Sequence, residues 1–327
     1  MAKKHTQEHN LFFEKEDLRW ATPEIVAGYR AERLQCDTIV DLGCGIGFQT
    51  LAFAKKCKKV YAVEIDKRKI EHAARNAQVL GLANIEFIHG DMLDPAVVQK
   101  ITKANIIFCD PERLPEEEER TLQSIIPDVH TIIETYTQLT PNIAIEFPPQ
   151  IKSIPFECEK EYLSLHGNLN RLTLYFGTLK MSERSAVVLP QNKKIGNNSL
   201  AKLSETKTMG KYLLEVDPAV VKAGLLAELS AITKTSLYAV EKAVFFTADI
   251  STKNPFFKHS FDICGQAKTE QEVILLLQKY AIGKVLLRYA VHPQEYWTIR
   301  NRIEQKLSGD TKASLFKFGD VFIVGMN

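Results

Sequence analysis

Between residues 36 and 180 the chain alternates short apolar runs with longer helix-compatible stretches. Apolar runs of this kind are typical of strands buried on both faces, and their alternation with helices predicts a parallel sheet. The predicted strands of this sheet end at Val40, Glu64, Ile88, Cys109 and Phe147. Two more predicted strands, Cys158 to Leu165 and Arg171 to Gly177, are separated by a turn-rich spacer that favours a hairpin. The pattern therefore predicts a doubly wound α/β domain that ends in an antiparallel hairpin.

The pattern changes after this domain. Residues 190–210 are polar and rich in lysine, which is typical of a linker or an exposed loop. Strands and helices alternate again over residues 211–324, and this predicts a second, smaller α+β domain, for which a ferredoxin-like sandwich is one candidate. We therefore predict an N-terminal helical segment, an α/β domain and an α+β domain, over residues 1–35, 36–180 and 181–327.

A glycine-rich turn follows the first predicted strand. Asp41 is followed by glycines at every second position, Gly43, Gly45 and Gly47, and then by a helix-compatible run. Glycine permits positive φ angles and lets a ligand lie against bare backbone. A strand, a glycine turn and a helix together form the ligand crevice of doubly wound domains. The spacing is D-x-G-x-G-x-G, which differs from the dinucleotide-binding pattern G-x-G-x-x-G.

An acidic residue lies at or just after the end of each of the next three predicted strands. Glu64 ends the second strand, where a carboxylate is placed to accept hydrogen bonds from two ribose hydroxyls. Asp91 and Met92 come after the third strand, and Asp110-Pro111 come directly after the fourth. Open α/β sheets bind their ligands at the carboxyl ends of their strands, so these residues are candidates for one crevice.

The order of these features resembles the class I S-adenosylmethionine (AdoMet) methyltransferases. The resemblance implies AdoMet as cofactor and a seven-stranded sheet of order 3-2-1-4-5-7-6. It also implies that Asp91 faces the adenine amino group and that the tetrad beginning at Asp110 forms the reaction centre. The cofactor-binding residues that it implies are Asp41, Gly43, Gly45, Gly47, Glu64, Ile65, Asp91 and Met92. The catalytic residues that it implies are Asp110, Pro111 and Arg113.

Two finer resemblances point to RNA. The stretches Ala74-Arg75-Asn76-Ala77 and Glu86 to Asp91 are similar to the trimethylguanosine-synthase and 5-methyluridine-synthase families, which modify RNA. In the second part of the chain, Asn254 to Phe257 and Arg288-Tyr289-Ala290 resemble a poorly characterised family of methyltransferases with a THUMP-like C-terminal domain. True THUMP domains bind tRNA, so this resemblance implies an RNA partner by analogy.

The reaction-centre tetrad departs from both patterns. Enzymes that methylate exocyclic amines carry [DN]-P-P-[YFW], whereas this chain has Asp110-Pro111-Glu112-Arg113. The 5-methyluridine enzymes carry D-P-P-R but need a cysteine nucleophile on the fifth strand, which here ends Glu146-Phe147-Pro148-Pro149. Neither chemistry therefore transfers intact. Arg113 has three candidate roles: stacking on a base, holding a phosphate, or pairing with neighbouring acids.

Composition and charge limit the kinds of protein and of binding site that the chain can be expected to contain. Of the 327 residues 45% are hydrophobic and 25% charged, as in ordinary soluble proteins. The six cysteines are scattered without a C-x-x-C pair, so no zinc site or other metal site is predicted. Residues 1–180 carry 22 basic and 26 acidic side chains, net −4, and residues 181–327 carry 20 and 14, net +6. This split fits a polyanion-binding appendage, and it also fits chance.

The sequence predicts a cytoplasmic protein without a membrane segment, because no signal peptide is evident and no apolar run approaches the ~18 residues of a membrane span. The leading hypothesis is an AdoMet-dependent methyltransferase that acts on a base nitrogen of tRNA or rRNA. The first alternative is a small-molecule or protein methyltransferase. The second alternative is a non-catalytic RNA-binding protein that retains a vestigial AdoMet pocket.

Overall fold

The computed structural model describes residues 5–6, 10–113, 121–151 and 153–327. The chain forms two compact units, residues 1–196 and 197–327. The strands of the first unit are β1 (Thr38–Leu42), β2 (Lys59–Glu64), β3 (Ile85–His89), β4 (Ile106–Cys109), β5 (Glu112–Arg113), β6 (Ile125–Ile126), β7 (Ile143–Phe147), β8 (Glu159–Leu165), β9 (Asn168–Tyr175), β10 (Arg184–Leu189) and β11 (Lys193–Gly196). Its helices are α1 (Asp17–Trp20), α2 (Glu24–Arg33), α3 (Phe48–Ala54), α4 (Lys67–Val79), α5 (Pro95–Val98) and α6 (Val129–Thr137).

The described residues of the first unit form a main sheet of nine strands in the order β11-β10-β8-β9-β7-β4-β1-β2-β3. The strands β3, β2, β1, β4 and β7 are parallel, and β9 and β8 form the antiparallel hairpin beside β7. Every residue of β1, β4 and β7 is buried, which explains their continuous apolar sequence. Counted along the seven core strands, this is the predicted order 3-2-1-4-5-7-6. The class I methyltransferase fold is therefore confirmed.

Two strands extend this sheet beyond the predicted hairpin. Strand β10 pairs in parallel with β8, and β11 pairs antiparallel with β10. Residues 193–196, which the sequence assigns to a linker, are therefore part of the sheet. Because β10 and β11 belong to this sheet, the first unit ends at Gly196, later than the boundary at residue 180 that the sequence predicts.

A buried charge network explains why polar residues enter the sheet here. The Lys194 amine lies 2.9 Å from Glu159 Oε1 and 3.0 Å from Glu161 Oε2, and both carboxylates are buried. Arg33 of α2 pairs with the same two carboxylates and lies over the Tyr175 ring. Burial disfavours the charge on Glu159, but Arg33 and Lys194 outweigh it and lower the pKa of Glu159 to about 2.

The second unit has strands β12 (Tyr212–Val216), β13 (Ser236–Val240), β14 (Val244–Ala248), β15 (Phe257–Ala267), β16 (Ile282–Leu287), β17 (Thr311–Phe318) and β18 (Val321–Met326). Its helices are α7 (Pro218–Ala223), α8 (Leu226–Thr233), α9 (Glu270–Lys279) and α10 (Tyr296–Glu304). The sheet order is β13-β14-β12-β15-β18-β17-β16, antiparallel except for β16 and β17. The predicted smaller α+β domain is confirmed, although its sheet is wider than a four-stranded ferredoxin-like sandwich. Its THUMP-like character remains a prediction.

Candidate active site

The glycine turn lies across the ends of β1 and β2. The backbone amides of Gly43 and Cys44 donate to the carbonyl oxygen of Val63 at 2.9 and 3.0 Å. Gly43, Gly45 and Gly47 have φ angles of +74°, +55° and +89°, in the region that favours glycine. The turn therefore depends on glycine at these positions and is held by the neighbouring strand.

The three glycines differ in what surrounds them. A Cβ at Gly43 would lie 3.5 Å from the carbonyl oxygen of Asp110 and 3.6 Å from Cε of Met92. A Cβ at Gly47 would lie 3.0 Å from Cβ of Ala73 in α4. A Cβ at Gly45 would meet no atom within 4 Å. Gly43 and Gly47 therefore allow close packing, whereas Gly45 faces open space.

Glu64 holds the turn from the end of β2. Its Oε2 accepts a hydrogen bond from the Gly45 amide at 2.8 Å, and its Oε1 accepts one from the Asp66 amide at 2.9 Å. The side chain is only 6% exposed. A carboxylate has about four acceptor positions, so both oxygens keep a lone pair for a ligand. The structure thus adds a turn-fixing role to the ribose-binding role that the sequence predicts.

The predicted adenine-side residues lie at the ends of β2 and β3. The backbone amide of Gly90 donates to the carbonyl of Glu64 at 3.0 Å, which joins the two strand ends. Ile65 is 65% exposed beside Glu64. Asp91 is exposed and its Oδ1 accepts from the Leu93 amide at 2.9 Å. Met92 is fixed by Tyr136, whose hydroxyl donates to the Met92 carbonyl at 2.7 Å. The predicted segments therefore meet at one edge of the sheet.

Asp41 is the most deeply buried of the predicted cofactor-site acids. It is 1% exposed, and its Oδ2 accepts a 2.5 Å hydrogen bond from Thr50 Oγ1 of α3. Burial raises the pKa of Asp41 to about 7, and the nearby carboxylates of Asp110 and Glu64 act in the same direction. Thr50 and Arg30 oppose the increase. Burial is thus the main reason why Asp41 holds its proton more tightly than an exposed aspartate.

A cavity of about 200 Å³ lies where the predicted reaction-centre residues follow β4. Asp110 and Pro111 line it together with residues from the ends of β7 and β9. These additional lining residues are Glu146, Phe147, Pro148, Pro149, Gln150, Asn170 and Arg171. The backbone of Glu112 and Arg113 forms β5, which pairs with β6. The Arg113 side chain, a predicted catalytic group, lies outside the described part of the structure.

Glu146 anchors this cavity between two arginines, an arrangement that the sequence analysis does not predict. The carboxylate is 3% exposed and pairs with Arg30 of α2 and with Arg171 Nε, the latter at 2.5 Å. Arg30 also donates to Gln49 Oε1 at 2.7 Å and lies over the Phe108 ring at 4.7 Å. Glu146 is the main cause of the raised pKa of Arg171. The sequence signal is a glutamate within an apolar strand, but its partners are distant along the chain.

Comparison with known proteins agrees with this geometry. Residues 35–155 match a family model described as "Methyltransferase domain". The fold and this match support a class I methyltransferase. A crystal structure assigned as a methyltransferase from Porphyromonas gingivalis W83 has a TM-score of 0.77 at 15% identity. It covers 96% of this chain and 83% of its own, so the shared fold extends over both units.

Curated relatives are similar over shorter stretches. A protein named as an uncharacterized RNA methyltransferase from Halalkalibacterium halodurans is 36% identical over 96 residues, covering 28% of this chain and 21% of its own. Another so named, from Clostridium tetani, is 37% identical over 79 residues, covering 24% and 17%. The chain thus spans about a fifth of the length of these two relatives.

The part of the chain that the structure describes contains no helix with the length and hydrophobicity of a membrane span.

The substitution Asp41→Asn should remove a pH dependence of stability. The folded-state pKa of about 7 lies above the ordinary 3.8, so between these values the folded protein keeps a proton that the unfolded chain releases. The free energy of unfolding should therefore fall as the pH rises through this window, by at most about 1.4 kcal/mol per pH unit. We expect a flatter slope for the variant and greater stability than the parent above pH 7, measured by urea unfolding.

Asp37→Asn is the matched control. Asp37 is exposed just before β1, and Lys58 lowers its pKa, so it does not titrate in this window. Its substitution should leave the slope unchanged. A slope for Asp41→Asn equal to that of the parent would show that Asp41 is ionised throughout.

Proposed function

We propose that this protein is an AdoMet-dependent methyltransferase that acts on a base nitrogen of tRNA or rRNA. The proposal rests on the close approach of three residues: a Cβ at Gly43 would lie 3.6 Å from Cε of Met92 and 3.5 Å from the carbonyl oxygen of Asp110. A cofactor lying on the glycine turn is thereby adjacent to the cavity that Asp110 lines. Ligands of open α/β sheets bind at this edge.

The carboxylates of the crevice support the assignment of AdoMet as the cofactor. Asp41, Glu64 and Asp110 lie close enough that the last two raise the pKa of the first. AdoMet carries a sulfonium and an ammonium group, so its binding would offset this repulsion and favour ionised Asp41. Glu64 would hold the ribose hydroxyls, Asp91 the adenine amino group, and Ile65 and Met92 the apolar faces of the ring.

Asp110 is the residue that we assign to the reacting nitrogen. AdoMet supplies an electrophilic methyl group when it is bound, so the protein has to align the nucleophile and accept its proton. The Asp110 carboxylate lines the acceptor cavity at the end of β4. Pro111, buried beside it, helps to fix the chain at this position.

RNA as the substrate class is supported by the names of the curated relatives and by the charge of the second unit. The boundary at Gly196 moves Glu183, Arg184, Lys193 and Lys194 to the first unit. The second unit therefore keeps 20 − 3 = 17 basic and 14 − 1 = 13 acidic side chains, net +4. This net positive charge is smaller than the +6 of residues 181–327, but the second unit is still basic. We propose that this unit is THUMP-like and contacts the RNA backbone.

Gly45→Asn should abolish AdoMet binding without unfolding the protein. Asparagine tolerates positive φ, and its side chain would project into the open space beside Gly45. We expect at least a tenfold weaker affinity, about 1.4 kcal/mol, by calorimetry. Gly81→Asn is the matched control, because Gly81 has a φ of +67° and equally open surroundings at the end of α4. Equal AdoMet affinity in both variants would place the cofactor elsewhere.

Asp110→Asn should lose catalysis and keep the cofactor. We expect the rate of methyl transfer to hypomethylated tRNA or rRNA to fall by about 10²–10⁴, the usual contribution of a positioned acid–base group. AdoMet affinity should fall by less than about tenfold, because two of the three neighbouring carboxylates remain, and the variant should stay folded. Asp94→Asn, which changes the capping carboxylate of α5, serves as the control with parental activity.

The outcomes separate the competing functions. A parental rate for Asp110→Asn would leave Asp110 a structural role. A parent that binds both AdoMet and RNA but transfers no methyl group would favour the vestigial pocket. Transfer to a protein or small molecule, with none to RNA, would favour the other alternative.

A protein ended after Gly196 should bind RNA more weakly than the full chain. The logarithm of the RNA-binding constant falls linearly with the logarithm of the salt concentration. If the second unit contacts Z phosphates, this slope should be steeper for the full chain than for the shortened protein by about 0.7Z to 0.9Z. Filter binding of tRNA over a range of salt concentrations measures both slopes. Circular dichroism and thermal unfolding of the shortened protein provide the folding control. Equal affinity and equal slope in both proteins would contradict a role for the second unit.

A further inference from the structure

The strand β9 carries a β-bulge at the cavity. In the β8–β9 pair, Leu163 is opposite Arg171, while the next residue, Ser164, is opposite Leu169. Asn170 is therefore the extra residue of β9 and has no partner across the hairpin. Bulges interrupt the alternation of side chains along a strand and often redirect one of them beside an active site.

The redirected side chain ends in a buried polar atom. Asn170 Oδ1 is buried and has no hydrogen-bond partner among the described residues. Asn170 lines the cavity that Asp110 and Pro111 also line. A buried acceptor without a partner is destabilising, so its presence at a cavity points to a ligand that supplies the missing donor.

The cavity wall also carries other polar groups. Arg171, the neighbour of Asn170, is committed to Glu146, which also pairs with Arg30. Asp110 adds a carboxylate, which is also an acceptor when ionised. Pro148 and Pro149 supply apolar surface. A volume of about 200 Å³ is smaller than the ~300–1,000 Å³ of pockets for drug-sized ligands and suits a single base turned out of its strand.

We propose that Asn170 is a specificity-determining residue that accepts a hydrogen bond from an exocyclic amino group of the target base. The inference rests on the proposed methyltransferase function and narrows its substrate to amino-bearing bases. A carbonyl oxygen at the same place would leave Asn170 Oδ1 unpaired and facing another acceptor. Sites built to hydrogen-bond one group reject analogues that lack it, because their own polar groups then stay unpaired.

Cytidine and uridine are the appropriate probes, because they differ chiefly in an amino group against a carbonyl. Their affinities for the full chain are measured by ligand-observed NMR, with S-adenosylhomocysteine present to fill the cofactor crevice. We expect the parent to prefer cytidine by about tenfold. Asn170→Leu should abolish the preference, since leucine keeps the volume without an acceptor. Asn170→Asp should retain it, since a carboxylate still accepts.

Asn168→Leu is the matched control, because Asn168 lies in the same strand and is exposed. It should keep the parental preference. No preference in the parent, or the same preference in Asn170→Leu, would overturn the proposal. A preference lost in Asn170→Asp would show that the amide acts as a donor and would also overturn it.

Mass spectrometry of nucleosides from RNA treated with the parent tests the proposed function separately. A methyl group on an exocyclic nitrogen supports both proposals. A methyl group on a base without an exocyclic amino group, such as uracil, supports the methyltransferase and overturns the role of Asn170. Absence of any RNA methylation, together with a cytidine preference that Asn170→Leu abolishes, removes the RNA function and leaves the recognition of an amino group in place.

Discussion

Buried carboxylates lie at or next to the ends of the parallel strands β1, β2 and β7. The architecture of the site follows from the hydrogen bonds and ion pairs that stabilise each of them. Glu64 accepts two backbone N–H groups, and this fixes the glycine turn. Glu146 lies between Arg30 and Arg171, and this joins α2, β7 and β9 around the cavity. Asp41 accepts a hydrogen bond from Thr50, but burial still raises its pKa. A buried carboxylate is costly to ionise unless it is paired, so a cationic group bound in the crevice would favour its ionised form.

The extent to which the sequence predicts this structure follows from the range of the interactions. The glycine turn depends on a local pattern, and the strand order follows from the resemblance to class I methyltransferases; both are predicted correctly. Lys194 looks like part of a polar linker because its partners, Glu159 and Glu161, are distant along the chain and come near only when the sheet forms. Asn170 is missed because a bulge is an exception to the alternation from which strands are recognised.

The altered tetrad becomes easier to interpret beside the cavity. Asp110 and Pro111 hold the place that the family motif gives them, whereas the position of the second proline is occupied by Glu112 in the short strand β5. In the family motif an aromatic residue completes the tetrad and stacks on the base. Here apolar surface comes instead from Pro148 and Pro149 at the end of β7, on the same cavity. The altered tetrad therefore still lines a cavity whose apolar surface comes from another segment.

The proposed methyl transfer requires a defined geometry between cofactor and substrate. The nucleophile and the methyl group must lie in line within about 3–3.5 Å, and the protein contributes mainly by holding that alignment. The distance between crevice and cavity is set by the register of β1 against β4, in which Leu42 is opposite Cys109. That register places the carbonyl of Asp110 against Gly43, so the residue that lines the acceptor cavity also forms a wall of the cofactor turn. Even a small displacement of β4, a fully buried central strand, would therefore disturb both places together.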